Sequence, residues 1–167
     1  MIRDLREDEI ECRVAQAKEN GVSLLLYKNA RVDMDILDET FGPMNWQRSH
    51  EFKDGRLYCT VSVYDREKDQ WIYKEDVGTE SNTEAEKGQA SDAFKRANVN
   101  FGIGRELYTA PFIWIPADKC KITTYNGKVK CNDKFTVEKI KIENKVITGL
   151  AIRNESLGQR VFVWQKK

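Results

Sequence analysis

Lys95 and Arg96 stand side by side in the stretch AEKGQASDAFKRANVNFGIG, a basic pair that on an exposed helix face is most often solvated surface and in fewer cases a contact for phosphate. At 100° per residue, Ala90, Ala93, Phe94, Ala97 and Phe101 fall in one stripe about 100° wide, as a helix packed on a core requires. Lys95 and Arg96 fall off that stripe and Lys87 sits on its flank, so the pair is offered to solvent or to a ligand. The other reactive side chains promise less. His50 is the sole histidine and lies in an alternating stretch, where it reads as structural rather than as a base. Glu75-Asp76 has no companion carboxylates at metal-binding spacing. Cys12, Cys59, Cys120 and Cys131 form no CxxC pair and have no nearby His, which leaves no zinc spacing. They read as reduced structural thiols; Cys120 and Cys131 flank a turn-rich stretch and can approach across it, but an intracellular setting disfavours a disulfide. Gly102 and Gly104 close a helix instead of opening one, and no Gly-Lys-Ser/Thr follows, so they form no phosphate loop. Neither a metal nor a cofactor nor a catalytic constellation is expected, and the chain does not read as an enzyme.

The elements that must hold the cations belong to a chain of 167 residues, enough for one domain with a real core. Its 40% hydrophobic and 33% charged content argues against disorder and for a water-exposed surface. No apolar run approaches the roughly 18 residues of a membrane span. The opening MIRDLREDEIECR is too acidic for a signal peptide, so the expected location is cytoplasmic. Net charge is only +1, which excludes a globally basic nucleic-acid binder. The charge is nevertheless uneven. Residues 1–117 hold 16 Lys and Arg against 22 Asp and Glu, whereas residues 118–167 hold 12 against 5. A basic C-terminal stretch of this kind points to a phosphate-bearing partner, although lysines also protect exposed strand edges.

Along the chain, Leu5, Ile10, Val14 and Ala17 suggest a helix over 4–19 closed by Asn20-Gly21, followed by a short strand from Ser23 to Tyr27. Asp33 is placed as the N-cap of a helix with Met34, Leu37 and Phe41 on one face, ended by Gly42-Pro43. Strands follow at Trp46–Phe52, Leu57–Tyr64 and Trp71–Val77, the first two joined by Asp54-Gly55. A helix over 83–101 then covers this meander, a β-β-β-α core of the α+β class. Further strands are expected at Phe112–Ile115, Lys134–Glu143, Lys145–Arg153 and Gln159–Gln165, with a tight turn at Glu143-Asn144-Lys145. Residues 1–110 are expected to form the core, and 111–167 a basic β-rich extension of the same domain, with a C-terminal hairpin region.

This order of elements resembles the Rad fifty-two family of single-strand annealing recombination proteins. That family has a short helix ending in Phe-Gly before an aromatic strand, as in Arg31 with VDMDILDETFGPMNWQ here. Its meander ends in Glu-Asp-Val/Ile-Gly, as in Glu75-Asp76-Val77-Gly78, and its next helix ends in Lys-Arg-Ala-x-x-x-Phe-Gly, as in Lys95-Arg96-Ala97 and Phe101-Gly102. The agreement covers roughly residues 28–108. The resemblance implies an ATP-independent annealer of single-stranded DNA in homologous recombination and double-strand break repair, acting as a homo-oligomeric ring. It implies that Arg31, Lys95 and Arg96 hold phosphates, with Lys87 next. Where the family carries a further basic residue, three positions past the pair, this chain has Val99, which leaves the groove either weaker or completed by Arg105 or by a neighbouring subunit. The segment after Pro111 is similar to phage and prophage forms, and its Lys119, Lys121, Lys128 and Lys130 offer a second DNA surface. A single-strand binding protein or an exonuclease is a candidate host partner.

Trp46, Trp71, Tyr58, Tyr64 and Tyr73 alternate along strands and could stack bases, but core or subunit-interface packing is the expectation. Two other classes remain open. A double-stranded RNA-binding module also sets a three-stranded sheet against helices, and an oligomeric scaffold would bind no nucleic acid at all.

Overall fold

The computed structural model describes residues 1–79 and 85–167, the first three residues of the second range by backbone only. The expected helix start at residue 83 and the Lys87 side chain therefore lie outside the described residues. In chain order the first elements are β1 (Glu11–Lys18), β2 (Gly21–Tyr27), α1 (Ala30–Phe41), β3 (Trp46–Lys53), β4 (Arg56–Asp65), β5 (Gln70–Val77) and α2 (Ala85–Val99). They are followed by β6 (Ile113–Pro116), β7 (Thr123–Tyr125), β8 (Lys128–Lys130), β9 (Phe135–Glu143), β10 (Val146–Asn154) and β11 (Gln159–Gln165). The class is α+β with antiparallel sheets, as the sequence predicts. Residues 1–3 with 30–104 form one compact unit, and residues 4–29 with 105–167 form another. The core expected over 1–110 thus draws on both.

In the first unit β3, β4 and β5 form an antiparallel meander. Leu57, Cys59, Val61 and Val63 of β4 are all buried on one face, the period-two pattern of a sheet with one covered side. The β3–β4 turn carries Asp54 at φ 52° and Gly55 at φ 75°, the positive pair that a two-residue hairpin requires. Helix α2 covers the apolar face. Its approach is set by Gly78, just past β5: a Cβ built there would lie 2.2 Å from the Gln89 carbonyl oxygen and 2.8 Å from the Ala93 nitrogen. Only a glycine lets the helix backbone rest on the strand end. Helix α1 begins at Ala30, not at an Asp33 cap; Asp33 lies inside its first turn and is fully buried.

The second unit is a six-stranded sheet in the order β11-β10-β9-β1-β2-β6, with the β7–β8 hairpin as a separate two-stranded piece. The helix expected over 4–19 is not formed. Residues Glu7–Glu9 make a single 3-10 turn, and Glu11–Lys18 is strand β1, paired with β2. A register shift between Val14 and Gln16 explains the misreading, because the bulge breaks the alternation begun by Ile10, Cys12 and Val14 and leaves a spacing that mimics a helix. In place of a helix stop, Glu19-Asn20 forms a hairpin turn and Gly21 opens β2, paired with Lys18. At the β9–β10 turn Asn144 and Lys145 both have positive φ, 51° and 62°, as the expected tight turn demands. The Lys145 ammonium then ion-pairs with Asp4 at 3.2 Å and with the fully buried Glu106 at 3.5 Å. Glu106 also accepts the Leu5 backbone N–H at 3.1 Å, which ties the start of this unit to its second half.

All four cysteines are free thiols. Burial pushes Cys12 up to about 12 and Cys59 up to about 11. Cys120 is raised to about 11 by burial first and by the neighbouring Cys131 thiol second, so these two meet at the base of the β7–β8 hairpin. A thiol raised by two units holds about a hundredth of the usual thiolate at neutral pH. Iodoacetamide at pH 7.5 is therefore expected to modify Cys59 about a hundredfold, and Cys12 about a thousandfold, more slowly in the folded protein than in urea. Equal rates, read by peptide mass spectrometry, would contradict this placement. No helix among the described residues is long and apolar enough to cross a membrane.

Candidate nucleic-acid interface

The site is built around α2. Ala93, Phe94 and Ala97 of the expected stripe are fully buried, while Ala90 and Phe101 are half-buried. Phe94 stacks on Trp46 with centroids 6.0 Å apart, and the Arg48 guanidinium lies 4.6 Å from the Phe94 centroid. His50 Nε2 lies 3.1 Å from the Ala90 carbonyl oxygen; a carbonyl only accepts, so the ring donates. The one histidine thus holds helix to strand. On the other flank Lys74 Nζ donates to the Asn100 carbonyl at 3.0 Å, close to the helix end where cations are favoured.

Arg96 is exposed, and its Nε donates to Asp92 Oδ2 at 2.9 Å. The same carboxylate oxygen accepts the Thr79 backbone N–H at 2.9 Å and the Thr79 hydroxyl at 3.2 Å. Asp92 therefore fixes one edge of the guanidinium. The terminal amino groups have no other partner among the described residues, a geometry suited to forked contact with a phosphate. Lys95 is half-buried beside it. One turn further on, Asn98 Nδ2 donates to Asp33 Oδ2 at 3.0 Å, with both residues fully buried. This bond docks the first turn of α1, which carries the exposed Arg31, on the half of α2 that carries Lys95.

Arg31, Lys95 and Arg96 all belong to the first unit, while the Lys87 side chain lies outside the described residues. Arg105 is exposed but belongs to the second unit, where it opens a 3-10 turn over Arg105–Thr109. Lys119, Lys121, Lys128 and Lys130 are all exposed in that unit, about the β7–β8 hairpin. Sequence reasoning missed Arg48. The i, i+2 spacing of Trp46, Arg48 and His50 puts all three on the helix side of β3, and that signal was available in the alternation.

The aromatic residues divide. Trp46 packs under α2, whereas Tyr58, Tyr64, Trp71 and Tyr73 lie on the other face of the meander, with Tyr73 73% exposed. Core packing is therefore ruled out for these four in the isolated chain. That face is laced by Lys53, which donates to Glu75 at 2.9 Å, and by the Thr60 hydroxyl, which donates to the same carboxylate at 3.0 Å. Lys53 holds Glu75 below the usual carboxylate range and is itself raised by it.

The Asp33–Asn98 bond makes a testable demand. Asn98 Oδ1 is already buried with no hydrogen-bond partner among the described residues, so Asp33→Ala leaves its amide without the bond to Asp33 as well. A loss of about 2–3 kcal/mol is expected from urea unfolding. A change below about 0.5 kcal/mol, well short of that order of magnitude, would mean that the bond does not hold α1 in place.

Comparisons with known proteins identify the family. The family described as Rad52/22 family double-strand break repair protein matches residues 2–126. The single-stranded DNA-binding protein DdrA of Deinococcus radiodurans is 36% identical over 107 residues, which cover 63% of this chain and 50% of DdrA. The chain therefore spans about half the length of the curated relative it matches. No solved structure matches it. With three quarters of its length inside the family match, including both helices and the whole meander, the chain belongs to the Rad52/22 family of double-strand break repair proteins.

Proposed function

We propose that this protein binds single-stranded DNA and anneals complementary strands without ATP, in recombination and double-strand break repair. The carrying observation is Arg96, held along one edge by Asp92 and next after Lys95 on α2, while α1, which carries Arg31, is tied to α2 by the Asp33–Asn98 bond. An annealer must neutralise backbone repulsion between two strands while leaving base edges free to pair. Cations on a helix surface do this; no catalytic group, metal or cofactor is required. Lys87 and Arg105 are the next candidates for phosphate contact. Family membership and the name of DdrA support single-stranded DNA as the partner.

The protein acts as a homo-oligomeric ring in this reading. The supporting observation is the open aromatic face of the meander, which one subunit leaves exposed and a neighbour would cover. Replacing Trp71 and Tyr73 by alanine would then reduce the assembly to smaller species by light scattering. The segment after Pro111 supports a phage or prophage origin, with action in the bacterial host cytoplasm beside a single-strand binding protein or exonuclease.

The test is annealing of two complementary labelled oligonucleotides over a salt series, with neither nucleotide nor divalent metal. Rapid annealing that slows as salt rises is expected. A folded protein giving no acceleration over the protein-free control would overturn the proposal. Preference for duplex RNA would instead favour the RNA-binding module, and no salt-sensitive binding of any nucleic acid would favour the scaffold.

A further inference from the structure

We infer that the β7–β8 hairpin is a second contact for single-stranded DNA, an arm that takes the backbone and an unpaired base of another strand. The inference rests on the DNA-binding reading above and adds a site on the other unit. Along residues 121–132, Ile122, Val129 and Cys131 are half-buried, while Lys121, Thr123, Tyr125, Lys128 and Lys130 are exposed. The register pairs Thr123 with Lys130 and Tyr125 with Lys128, so these four share one face, and the alternation adds Lys121 to it. Three cations and a phenol ring therefore look outward together, with Lys119 just before them.

These cations are not consumed by neighbouring acids. Lys119, Lys121, Lys128 and Lys130 make no ion pair among the described residues. The carboxylate of Asp133 is occupied by the Lys121 backbone N–H and by Asn154 Nδ2, each at 2.8 Å. Asn154 Nδ2 also donates to the Lys119 carbonyl at 3.2 Å, so the base of the hairpin is anchored to β10. Its tip is a tight turn, with Asn126 at φ 50° and Gly127 at φ 75°. The arm is thus hydrogen-bonded at its base and tightly turned at its tip.

Edge protection accounts for lysines on a short strand, but it does not account for Tyr125. Protected edges carry charge, and an aromatic ring left 78% exposed among them works against that purpose. Lysines that track phosphates beside a ring that can stack a base describe a single-strand surface. A duplex keeps its bases stacked on each other and gives the ring nothing to do.

The test uses the full chain with a thirty-nucleotide thymidine oligonucleotide carrying 5-iodouracil, cross-linked by ultraviolet light and mapped by mass spectrometry. A cross-link at Tyr125 is expected in the wild type and in the Lys95→Ala/Arg96→Ala variant. It should fall at least fivefold in Lys121→Ala/Lys128→Ala/Lys130→Ala, whose exposed positions leave the melting temperature in place. The latter variant should also show a salt dependence shallower by about two, at roughly 0.7 per phosphate contact on single strands. If anisotropy shows the wild type bound to this oligonucleotide and no Tyr125 cross-link forms, the arm is refuted and the reading of α2 stands. If the wild type does not bind it at low salt, both fall together.

Discussion

Replacing Lys95 and Arg96 together by alanine lowers single-strand affinity about a hundredfold or more, at about 1.5–3 kcal/mol for each charge-assisted hydrogen bond to phosphate that the variant cannot make. The salt dependence of binding becomes shallower by about 1.4, because two phosphate contacts at about 0.7 each are gone. The fold survives. Among the described residues Arg96 makes one ion pair, the exposed i,i+4 bridge to Asp92, and pairs of that kind are worth about 0.3–0.5 kcal/mol. Asp92 keeps both Thr79 donors after the change. Arg96→Lys tests the geometry further. An ammonium cannot grip Asp92 along one edge and fork a phosphate with the other, so about a tenfold loss is expected although the charge is kept. Fluorescence anisotropy with a labelled thymidine oligonucleotide reads both. Unchanged affinity in the double variant, with native circular dichroism, would remove α2 from the interface.

The sequence made the meander and α2 readable because their signals are local. Leu57, Cys59, Val61 and Val63 alternate without interruption, Asp54-Gly55 marks its own turn, and Ala93, Phe94 and Ala97 repeat at helical spacing. The failures have equally specific causes. The β1 strand was obscured by one bulge at Ala15, and its partners in the sheet are decided far away: Glu11 pairs with Thr136, more than a hundred residues on. The grouping of residues 4–29 with 105–167 has the same origin, since non-local pairing leaves no local trace. Asp33 has the composition of a cap, yet its carboxylate is used by Asn98, sixty-five positions later. For the site, the cation pair was legible as two residues off a packed stripe. What orients Arg96 was also present, as Asp92 four positions earlier, but its double duty to Thr79 needed the strand end in place. The outward face of the β7–β8 hairpin was legible only as an excess of lysine, because strands of three residues are too short to show a period.

Gly78→Ala is the single substitution expected to cost most, about 3 kcal/mol or more, at the upper end of what overpacking does. The new methyl would meet Gln89 and Ala93 backbone atoms at 2.2 and 2.8 Å, and backbone atoms have no rotamer to move into. Either α2 lifts from the sheet or β5 loses its end, where the Gly78 N–H donates to the Leu57 carbonyl at 2.9 Å. Gly55→Ala is the matched control. Gly55 has positive φ but nothing within 4 Å of its built Cβ, so only conformational strain of about 1 kcal/mol is at stake. Urea unfolding should therefore separate the two by about 2 kcal/mol, a difference of crowding over turn strain. The pair also discriminates between two reasons for a glycine beside a cation-bearing helix. If packing is the reason, stability and DNA affinity fall together, because Lys95 and Arg96 ride on the displaced helix. If Gly78→Ala keeps its stability and loses only DNA affinity, the glycine instead serves close approach of the ligand, and the phosphate path must run over the β5–α2 junction.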